Sequence, residues 1–181
     1  TLNEVDKIKP RPYREYPELQ HTYDIFMFLL RARGLNFVDL AQLTRENVDD
    51  GRLKYIRQKT GKMYSIAISP EMGQSLQKYA GRKYLFPILD DAPTTPSARY
   101  HRIRKSLKVF NAQLREIARV CGIDKTVSSY TARYTYTNIL VKNNVSVPLI
   151  QQALGHSSIA TTQHYIQKFS DQEVDKVDTL I

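Results

Sequence analysis

Three side chains near the end of the sequence could do chemistry together: Arg133, His156 and Tyr165. A guanidinium can hold an anion through two parallel hydrogen bonds, a tyrosine hydroxyl can act as a nucleophile, and an imidazole can donate a hydrogen bond. A phosphodiester needs such groups, because its negative charge repels nucleophiles and its departing oxygen needs a proton or a positive charge. Groups of these types would meet such needs.

Arg133 lies in a predicted helix. Ala132, Tyr136 and Ile139 have the spacing of an amphipathic helix, and the polar run from Lys142 to Asn144 stops it. Helix formation fixes the direction of the Arg133 side chain relative to the apolar face.

His156 is expected just after a second, shorter helix. Pro148 suits the first turn of that helix, where a missing N–H costs nothing, and Gly155 ends it through a left-handed cap. The chain can then re-enter helix over residues 159–166, which carries Tyr165 back past the same corner. Two sharp turns would thus bring the three groups toward one place.

Two segments resemble a known family. From Leu154 to Tyr165 the sequence reads LGHSSIATTQHY, which closely resembles the carboxy-terminal box of the tyrosine recombinases, the phage-integrase-like enzymes of DNA strand exchange. From Tyr130 to Tyr134 it reads YTARY, which resembles that family's His-x-x-Arg-His/Tyr box with Arg133 on the arginine. Tyr130 stands in place of the first histidine of that box.

A third segment departs from the family at one position. From Gly34 to Leu43 the sequence reads GLNFVDLAQL and resembles the first arginine box, but Asn36 stands where the family usually has a catalytic arginine. Either another arginine supplies that charge or the site works with less. Because Asn36 and Tyr130 depart together, the chain most resembles recombinases carried by conjugative and other transposable elements.

A hairpin offers the replacement charge. Strands are predicted over residues 53–58 and 63–69, with Gly61 in the turn between them. The family places a catalytic lysine on such a hairpin, and Lys59 matches it. Residues two apart in a strand face the same way, so Arg57 should project beside Lys59 and is the first candidate to replace the missing arginine. Its other interpretation is a solvated or phosphate-anchoring side chain. Two further arginines are second choices: Arg31 and Arg33.

The resemblance implies a role for each site residue. Tyr165 attacks the phosphorus and forms a 3′-phosphotyrosyl link, while Arg133 holds the non-bridging oxygens. His156 hydrogen-bonds the same phosphate. Lys59 serves as general acid for the 5′ oxygen. Tyr130 is assigned a phosphate contact only, since a phenol with an ordinary pKa of about 10 is a poor proton shuttle.

Composition agrees with a nucleic-acid partner. The 181 residues include 27 basic and 18 acidic ones, which gives a net charge of +9. A basic domain of this size favours a polyanion, and double-stranded DNA is the expected partner. Cys121 is the single cysteine, which excludes an internal disulfide and fits a reducing compartment such as the bacterial cytoplasm. Neither a transmembrane span, a metal site nor a cofactor is indicated.

The remaining patterns predict an α+β domain, mainly α, with a small antiparallel sheet at one edge. Helical spacing runs from Tyr23 to Leu30, from Pro70 to Tyr79, and from about Ala98 onward. Residues 84–87 are predicted as a short strand and residues 87–97 as an exposed loop. One face of the long helix carries five basic residues that are either a solvated surface or a phosphate-binding stripe: Arg99, Arg102, Arg104, Lys105 and Lys108.

The domain organisation follows from the prolines near the start and from the resemblance. Residues 1–20 are predicted as a linker with a short leading helix, and residues 21–181 as the catalytic domain. The chain begins with Thr1, so we expect it to be a piece of a longer protein whose DNA-clamping domain lies outside it. The final apolar helix, over residues 171–181, either folds back on its own domain or docks elsewhere, and the resemblance implies docking on a neighbouring protomer in a tetrameric synapse on DNA. Accessory DNA-bending proteins are a further expected partner class.

Three other interpretations remain open. A type IB topoisomerase-like enzyme would share the chemistry but would not join two partner sites. A catalytically deficient DNA-binding protein of the same fold would bind a specific sequence without forming an adduct. A basic helical protein without DNA chemistry would not bind duplex DNA at moderate salt.

Overall fold

The computed structural model describes residues 16–91, 95–164 and 166, and this part of the chain is mainly helical. Its α-helices are α1 (Gln20–Arg31), α2 (Phe37–Leu40), α3 (Pro70–Tyr79), α4 (Pro96–Val120), α5 (Thr131–Lys142), α6 (Val147–Leu154) and α7 (Ile159–Gln163). Its strands are β1 (Val48–Asp49), β2 (Arg52–Ile56) and β3 (Met63–Ala67). The predicted α+β class, mainly α with a small antiparallel sheet, is confirmed.

Helix α1 lies at the centre of the core. Every side chain from Ile25 to Leu30 is buried, as expected for a helix that is apolar nearly all round. The helix packs against α3, α4 and α5. Phe28 meets the ring of Phe86 edge-on, with centroids 4.9 Å apart. Because α1 is enclosed, the turn that follows it is held firmly against α5.

Helix α4 begins at Pro96, two residues before the expected start. The Thr95 hydroxyl accepts a hydrogen bond from the N–H of Ala98 (3.3 Å), which caps the first turn. Four of the residues predicted to face inward are buried: Ile103, Phe110, Leu114 and Ile117. On the opposite face, Arg99 is partly buried and the other four basic residues are exposed. No helix in the described part of the chain is long and apolar enough to cross a membrane.

The sheet has the order β1-β2-β3, with antiparallel neighbours. In β2 and β3, Leu53 pairs with Ile66 and Tyr55 pairs with Tyr64; all four side chains are buried, as period-two alternation predicts. The two tyrosine rings stack with centroids 5.1 Å apart. Both strands are shorter than predicted, because β2 ends at Ile56 and the hairpin turn begins there.

The segment after α3 differs from expectation. Tyr84 forms only an isolated bridge with Thr44, and the predicted strand over residues 84–87 is absent from the described residues. The following loop is not uniformly exposed, since Leu89 is buried. Its anchor is the Asp90 carboxylate, which accepts hydrogen bonds from three consecutive backbone N–H groups: Arg82, Lys83 and Tyr84.

The helices after residue 130 follow the predicted order. Helix α6 has Pro148 in its first turn and ends at Gly155 in the left-handed conformation (φ 61°, ψ 33°). Helix α7 stops at Gln163, before the predicted end at residue 166. Three expectations lie outside the described residues: the helix before the first prolines, the side chain of Tyr165, and the final helix over residues 171–181.

Candidate active site

Arg133 is buried in the first turn of α5 and is 2% exposed. Its Nη1 donates a hydrogen bond to the Gly34 carbonyl at 3.2 Å, and its Nη2 donates to the Leu154 carbonyl. Two backbone acceptors on different sides thus fix the plane of the guanidinium. A lysine cannot reproduce this arrangement, because an ammonium has no planar fork of donors.

Gly34 allows α5 to come this close. It follows α1 with φ +67°, a conformation that favours glycine. A Cβ at this position would lie 2.5 Å from the Cα of Arg133, so any side chain would displace the helix. The turn after α1 therefore positions Arg133 through its backbone.

The end of α6 delivers His156 to the same place. The His156 N–H donates to the Gln151 carbonyl at 3.0 Å, which closes the left-handed turn at Gly155. From β3, the Tyr64 hydroxyl donates to the Leu154 carbonyl at 2.6 Å. A Cβ on Gly155 would overlap that hydroxyl. Glycine is therefore needed at this position both for its backbone conformation and for the space.

The hydrogen bonds of His156 define its tautomer. Its Nε2 lies 3.1 Å from Arg133 Nη2, and its Nδ1 lies 2.9 Å from Thr162 Oγ1. A guanidinium can only donate, so Nε2 accepts, and Nδ1 carries the proton and donates to Thr162. Thr162 is buried in α7, whose start is capped by the Ser158 hydroxyl. His156 thus links α5, α6 and α7.

Burial is the largest cause that lowers the pKa of His156 to about 4. The positive charges of Arg133, Arg57 and Lys62 act in the same direction. His156 is therefore neutral at neutral pH and serves as a hydrogen-bonding group. The same result shows that Arg57 and Lys62 share an electrostatic environment with Arg133.

A second cluster surrounds Arg57, which follows β2 and is 7% exposed. With its amide oxygen turned toward the guanidinium, Asn36 accepts hydrogen bonds from Arg57 Nη2 (2.9 Å) and Nε (3.3 Å). Asp39 is also buried, and its Oδ1 accepts from the N–H of Gln58 at 3.0 Å. Burial raises the pKa of Asp39, while the Gln58 hydrogen bond and the charge of Arg57 oppose that shift.

Lys59 lies in the hairpin turn and not in the strand. The Arg57 carbonyl accepts hydrogen bonds from the N–H groups of Thr60 (3.2 Å) and Gly61 (2.8 Å), which closes a tight turn. The alternation of β2 therefore stops before Lys59. The expectation that Arg57 and Lys59 project side by side is wrong, because Arg57 is buried and Lys59 is exposed.

An open cavity of about 380 Å³ lies between the hairpin turn and the start of α5. Lys59 and Tyr130 both line it, together with Asn36 and Asp39. Tyr130 is 40% exposed, and its ring meets that of Tyr134 edge-on at 5.4 Å. The cavity therefore brings Lys59 and Tyr130 beside Asn36 and Asp39, the two residues of the second cluster that line it.

Metal ligands are not grouped in the described part of the chain, where no three His, Cys, Asp or Glu side chains could hold one ion. Two of the histidines outside the site pack against tyrosine rings. His21 lies 4.7 Å from the ring centroid of Tyr79, and His101 lies 5.6 Å from that of Tyr100.

Sequence reasoning missed four residues of this site: Asp39, Lys62, Tyr64 and Thr162. Asp39 carries a signal, because it is a charged residue within the otherwise apolar spacing of α2. Tyr64 carries another, since strand alternation alone turns it inward with Ile66. Thr162 lies inside the matched box, but only the 2.9 Å contact with His156 reveals its role.

The sequence matches the phage integrase family over residues 6–172. It is 30% identical over 141 residues to the tyrosine recombinase XerD of Pseudomonas putida, which covers 76% of this chain and 46% of XerD. It is 25% identical over 172 residues to the tyrosine recombinase XerC of Thermodesulfovibrio yellowstonii, which covers 91% of this chain and 56% of XerC. The chain spans about half the length of the curated relatives it matches.

Solved structures show the same fold. The XerA recombinase superposes with a TM-score of 0.65 at 20% identity, over 99% of this chain and 63% of XerA. The integrase of the Tn1549 transposon, solved in complex with transposon right end DNA, gives a TM-score of 0.61 at 16% identity, over 99% of this chain and 64% of the integrase. At these identities the likeness concerns the fold alone.

Proposed function

The chain belongs to the phage integrase family, and we propose on that premise that it is the catalytic domain of a site-specific tyrosine recombinase. It cleaves and rejoins double-stranded DNA through a 3′-phosphotyrosyl intermediate on Tyr165. This link keeps the energy of the broken phosphodiester, so rejoining needs no ATP. The observation that carries the proposal is the buried pair of Arg133 and His156, whose Nη2 and Nε2 atoms lie 3.1 Å apart where three helices meet.

Arg133 and His156 hold the scissile phosphate. A phosphate oxygen only accepts hydrogen bonds, so His156 must present an N–H at Nε2 when DNA is bound. In the described arrangement that proton lies on Nδ1, 2.9 Å from the Thr162 hydroxyl. A hydroxyl can donate as well as accept, so Thr162 serves either tautomer. When the proton moves from Nδ1 to Nε2, Nδ1 still accepts a hydrogen bond from Thr162, and the Arg133 Nη2 donor that faced Nε2 turns to the phosphate as well.

Lys59 protonates the leaving oxygen, and Tyr130 contacts the phosphate. Attack by the Tyr165 oxygen, whose phenol proton is lost to solvent, forms the phosphotyrosyl bond and breaks the bond between phosphorus and O5′, and O5′ then takes up a proton. Lys59 supplies that proton from the exposed hairpin turn, where its side chain borders the cavity. Tyr130, on the same cavity, donates a hydrogen bond to the phosphate.

Arg57 supplies the second positive charge at the phosphate. It is buried, and its charge acts on both His156 and Asp39, as that of Arg133 does. The two other candidates are less suited. Arg31 pairs with Glu71 at 3.8 Å, and Arg33 lines a separate cavity between α5 and α6. Arg57 is thus the arginine that compensates for Asn36.

The basic face of α4 extends the DNA-binding surface. Leu107 lines the cavity beside Lys59 and also an adjoining one formed by Arg104, Lys105 and Lys108. A DNA strand that enters the site can therefore continue along these cations. Such contacts position the backbone without reading its sequence, and they make binding weaken as salt rises.

The wider organisation follows the family resemblance. Residues 21–181 form the catalytic domain, residues 1–20 link it to a DNA-clamping domain outside this chain, and residues 171–181 join protomers into a tetramer on DNA. We place the protein in the bacterial cytoplasm, bound to DNA, where DNA-bending proteins assist it. Its departures at Asn36 and Tyr130 support an origin in a mobile element.

The test is covalent trapping with the full-length protein on nicked duplexes that carry the parent element's crossover sequence. Wild type should form a slowly migrating protein–DNA adduct, and Tyr165→Phe should form none. Tyr100→Phe is the matched control, because Tyr100 is an exposed tyrosine near the start of α4 that has no role in the proposed mechanism, and it should form the adduct normally. An adduct that persists in Tyr165→Phe would assign the nucleophile to another residue.

A catalytically deficient DNA-binding protein is the second candidate, favoured by the absence of arginine at position 36 and of histidine at position 130. It predicts tight binding to the same duplex and no adduct from wild type. A topoisomerase-like enzyme predicts the adduct but no joining of strands from two different sites. Two-site substrates therefore separate all three activities.

A further inference from the structure

We propose that Asn36 positions Arg57 in the active site and, with Asp39, delivers from the hairpin the positive charge that an arginine at position 36 would otherwise provide. This inference rests on the proposed recombinase function. It makes Asn36 a positioning residue, since it acts on the phosphate only through Arg57.

The contacts of Asn36 are directed at Arg57. Asn36 occupies the residue before α2, where asparagine commonly caps the helix through its side chain. Within the described residues it makes no such capping hydrogen bond. Its amide oxygen instead accepts from Arg57 Nη2 (2.9 Å) and Nε (3.3 Å), the two donors along one edge of the guanidinium.

Asp39 fixes the backbone beside the same arginine. Its Oδ1 accepts the N–H of Gln58, the residue after Arg57, at 3.0 Å. The Asn36 side chain and the charges of Arg57 and Arg133 also act to lower the pKa of Asp39, against the effect of burial. The hairpin is therefore held at its backbone by Asp39 and at the guanidinium by Asn36. Both holders come from α2 and the turn before it, a segment that packs against α4 through Phe37.

The charge of Arg57 reaches the reacting centre. It acts on His156 in the same direction as Arg133, whose Nη2 contacts the imidazole. An arginine at position 36 would bring a second guanidinium to the place that Arg57 already occupies. Two like charges at hydrogen-bonding distance repel strongly in a buried site. The site therefore has room for one of these two guanidinium groups. Either position 57 carries the arginine and position 36 is asparagine, as here, or position 36 carries it and position 57 is neutral.

A double-mutant cycle measures the coupling in single-turnover cleavage by the full-length protein on the nicked duplex. Arg57→Ala should slow adduct formation about 100-fold, and Asn36→Ala about 10-fold, because a misplaced cation loses part of its effect. The double variant should be no slower than Arg57→Ala, since Asn36 has nothing left to position. Asn143→Ala removes an asparagine from the exposed end of α5 and should cleave like wild type.

Relocating the charge gives the sharper readout. Arg57→Asn alone should be slow, Asn36→Arg alone should also be slow through repulsion, and the two together should recover at least about 10-fold over Arg57→Asn. A residue that merely stabilises the fold would give additive losses and no recovery. Additive losses, or Asn36→Ala at the wild-type rate, would overturn the inference.

The recombinase proposal and this inference fail in different ways. If wild type forms no adduct, both the recombinase proposal and the positioning role of Asn36 are contradicted. If wild type forms an adduct that Tyr165→Phe lacks, but the losses at positions 36 and 57 are additive, only the positioning role of Asn36 is contradicted. Binding of each variant to an uncleavable duplex, measured alongside, shows that the rates report on cleavage and not on DNA affinity.

Discussion

The two sides of the candidate site hold their arginines by different kinds of hydrogen-bond acceptor. On the α5–α6 side, Arg133 is held by the backbone carbonyls of Gly34 and Leu154, and His156 follows a left-handed helix end. On the hairpin side, Arg57 is held by the side chain of Asn36. Both sides deliver a buried arginine to one electrostatic environment.

This difference explains why the α5–α6 side can be predicted from the sequence more easily than the hairpin side. A backbone acceptor is present whatever the residue is, so only glycines and helix signals are needed to specify the α5–α6 side. A side-chain acceptor can be exchanged with its partner, as long as one member of the pair carries the charge. The hairpin side can therefore change its residues while keeping its chemistry, and the α5–α6 side cannot.

The largest effect is expected from Arg133→Lys. In the proposed mechanism Arg133 holds both non-bridging oxygens, so loss of the planar fork should slow single-turnover adduct formation at least about 10³-fold. Arg115→Lys on the exposed face of α4 is the control and should stay near the wild-type rate. Urea unfolding should show that the variant remains folded under the assay conditions. A loss below about 10-fold would show that cleavage does not need the planar guanidinium of Arg133, and that Arg133 is not held more strictly than Arg57.

Substitution of Gly155 should cost stability in two parts. Gly155→Ala strains a left-handed residue, by about 1 kcal/mol, and drives a Cβ into the Tyr64 hydroxyl, by about 1–3 kcal/mol more. Gly122→Ala is a matched control, since Gly122 has φ +63° and nothing within 4 Å of its added Cβ. Urea unfolding of the two variants should therefore differ by the cost of the overlap. Equal losses would mean that the end of α6 does not depend on close packing against β3.

The sequence predicts the α5–α6 side well because each of its determinants is local. Glycine in a left-handed cap, proline in a first turn and apolar spacing fix the order of α5, α6 and α7 without reference to other parts of the chain. The hairpin was also predictable, from alternation in β2 and β3. Only the boundaries moved, since strand hydrogen bonding ends where the turn closes on the Arg57 carbonyl.

The hairpin side resists prediction for a physical reason. Strand alternation predicted that Arg57 and Lys59 would project together, but the turn begins between them. As a result Arg57 is buried and Lys59 is exposed. The contact of Asn36 with Arg57 joins residues far apart in sequence, and it depends on how a helix turn and a hairpin meet. Such a pairing has no periodicity to find. Thr162 was missed similarly, because its partner is set by the path of α7 around His156.

A smaller effect is expected from Tyr64→Phe, which removes one donor from the Leu154 carbonyl. Arg133 still donates to that carbonyl, so the free energy of unfolding should fall by only about 1 kcal/mol. Combined with Gly155→Ala, the loss should be less than the sum, because the overlapping hydroxyl is gone. Urea unfolding of the four proteins gives the coupling. Strict additivity would show that the hydroxyl and the glycine act independently.

The smallest effect concerns pH, and the two sides should respond with opposite sign. His156 has a pKa of about 4 in the folded protein and about 6.5 when unfolded, so the unfolded chain binds more protons between these values. The free energy of unfolding should therefore fall on acidification, by at most about 1 kcal/mol between pH 7 and pH 5.5. Asp39 has its pKa raised on folding, so its protonation favours the folded state as pH falls.

Urea unfolding at several pH values between 7 and 4 separates these contributions. In His156→Gln the loss on acidification should be shallower than in wild type, because the neutral amide binds no proton in either state. In Asp39→Asn it should be steeper, since the favourable uptake on the hairpin side is gone. His21, whose pKa burial also lowers, is present in all three proteins and cancels. If the three profiles run parallel, neither group changes its proton affinity on folding, and the opposed electrostatics of the two sides are refuted.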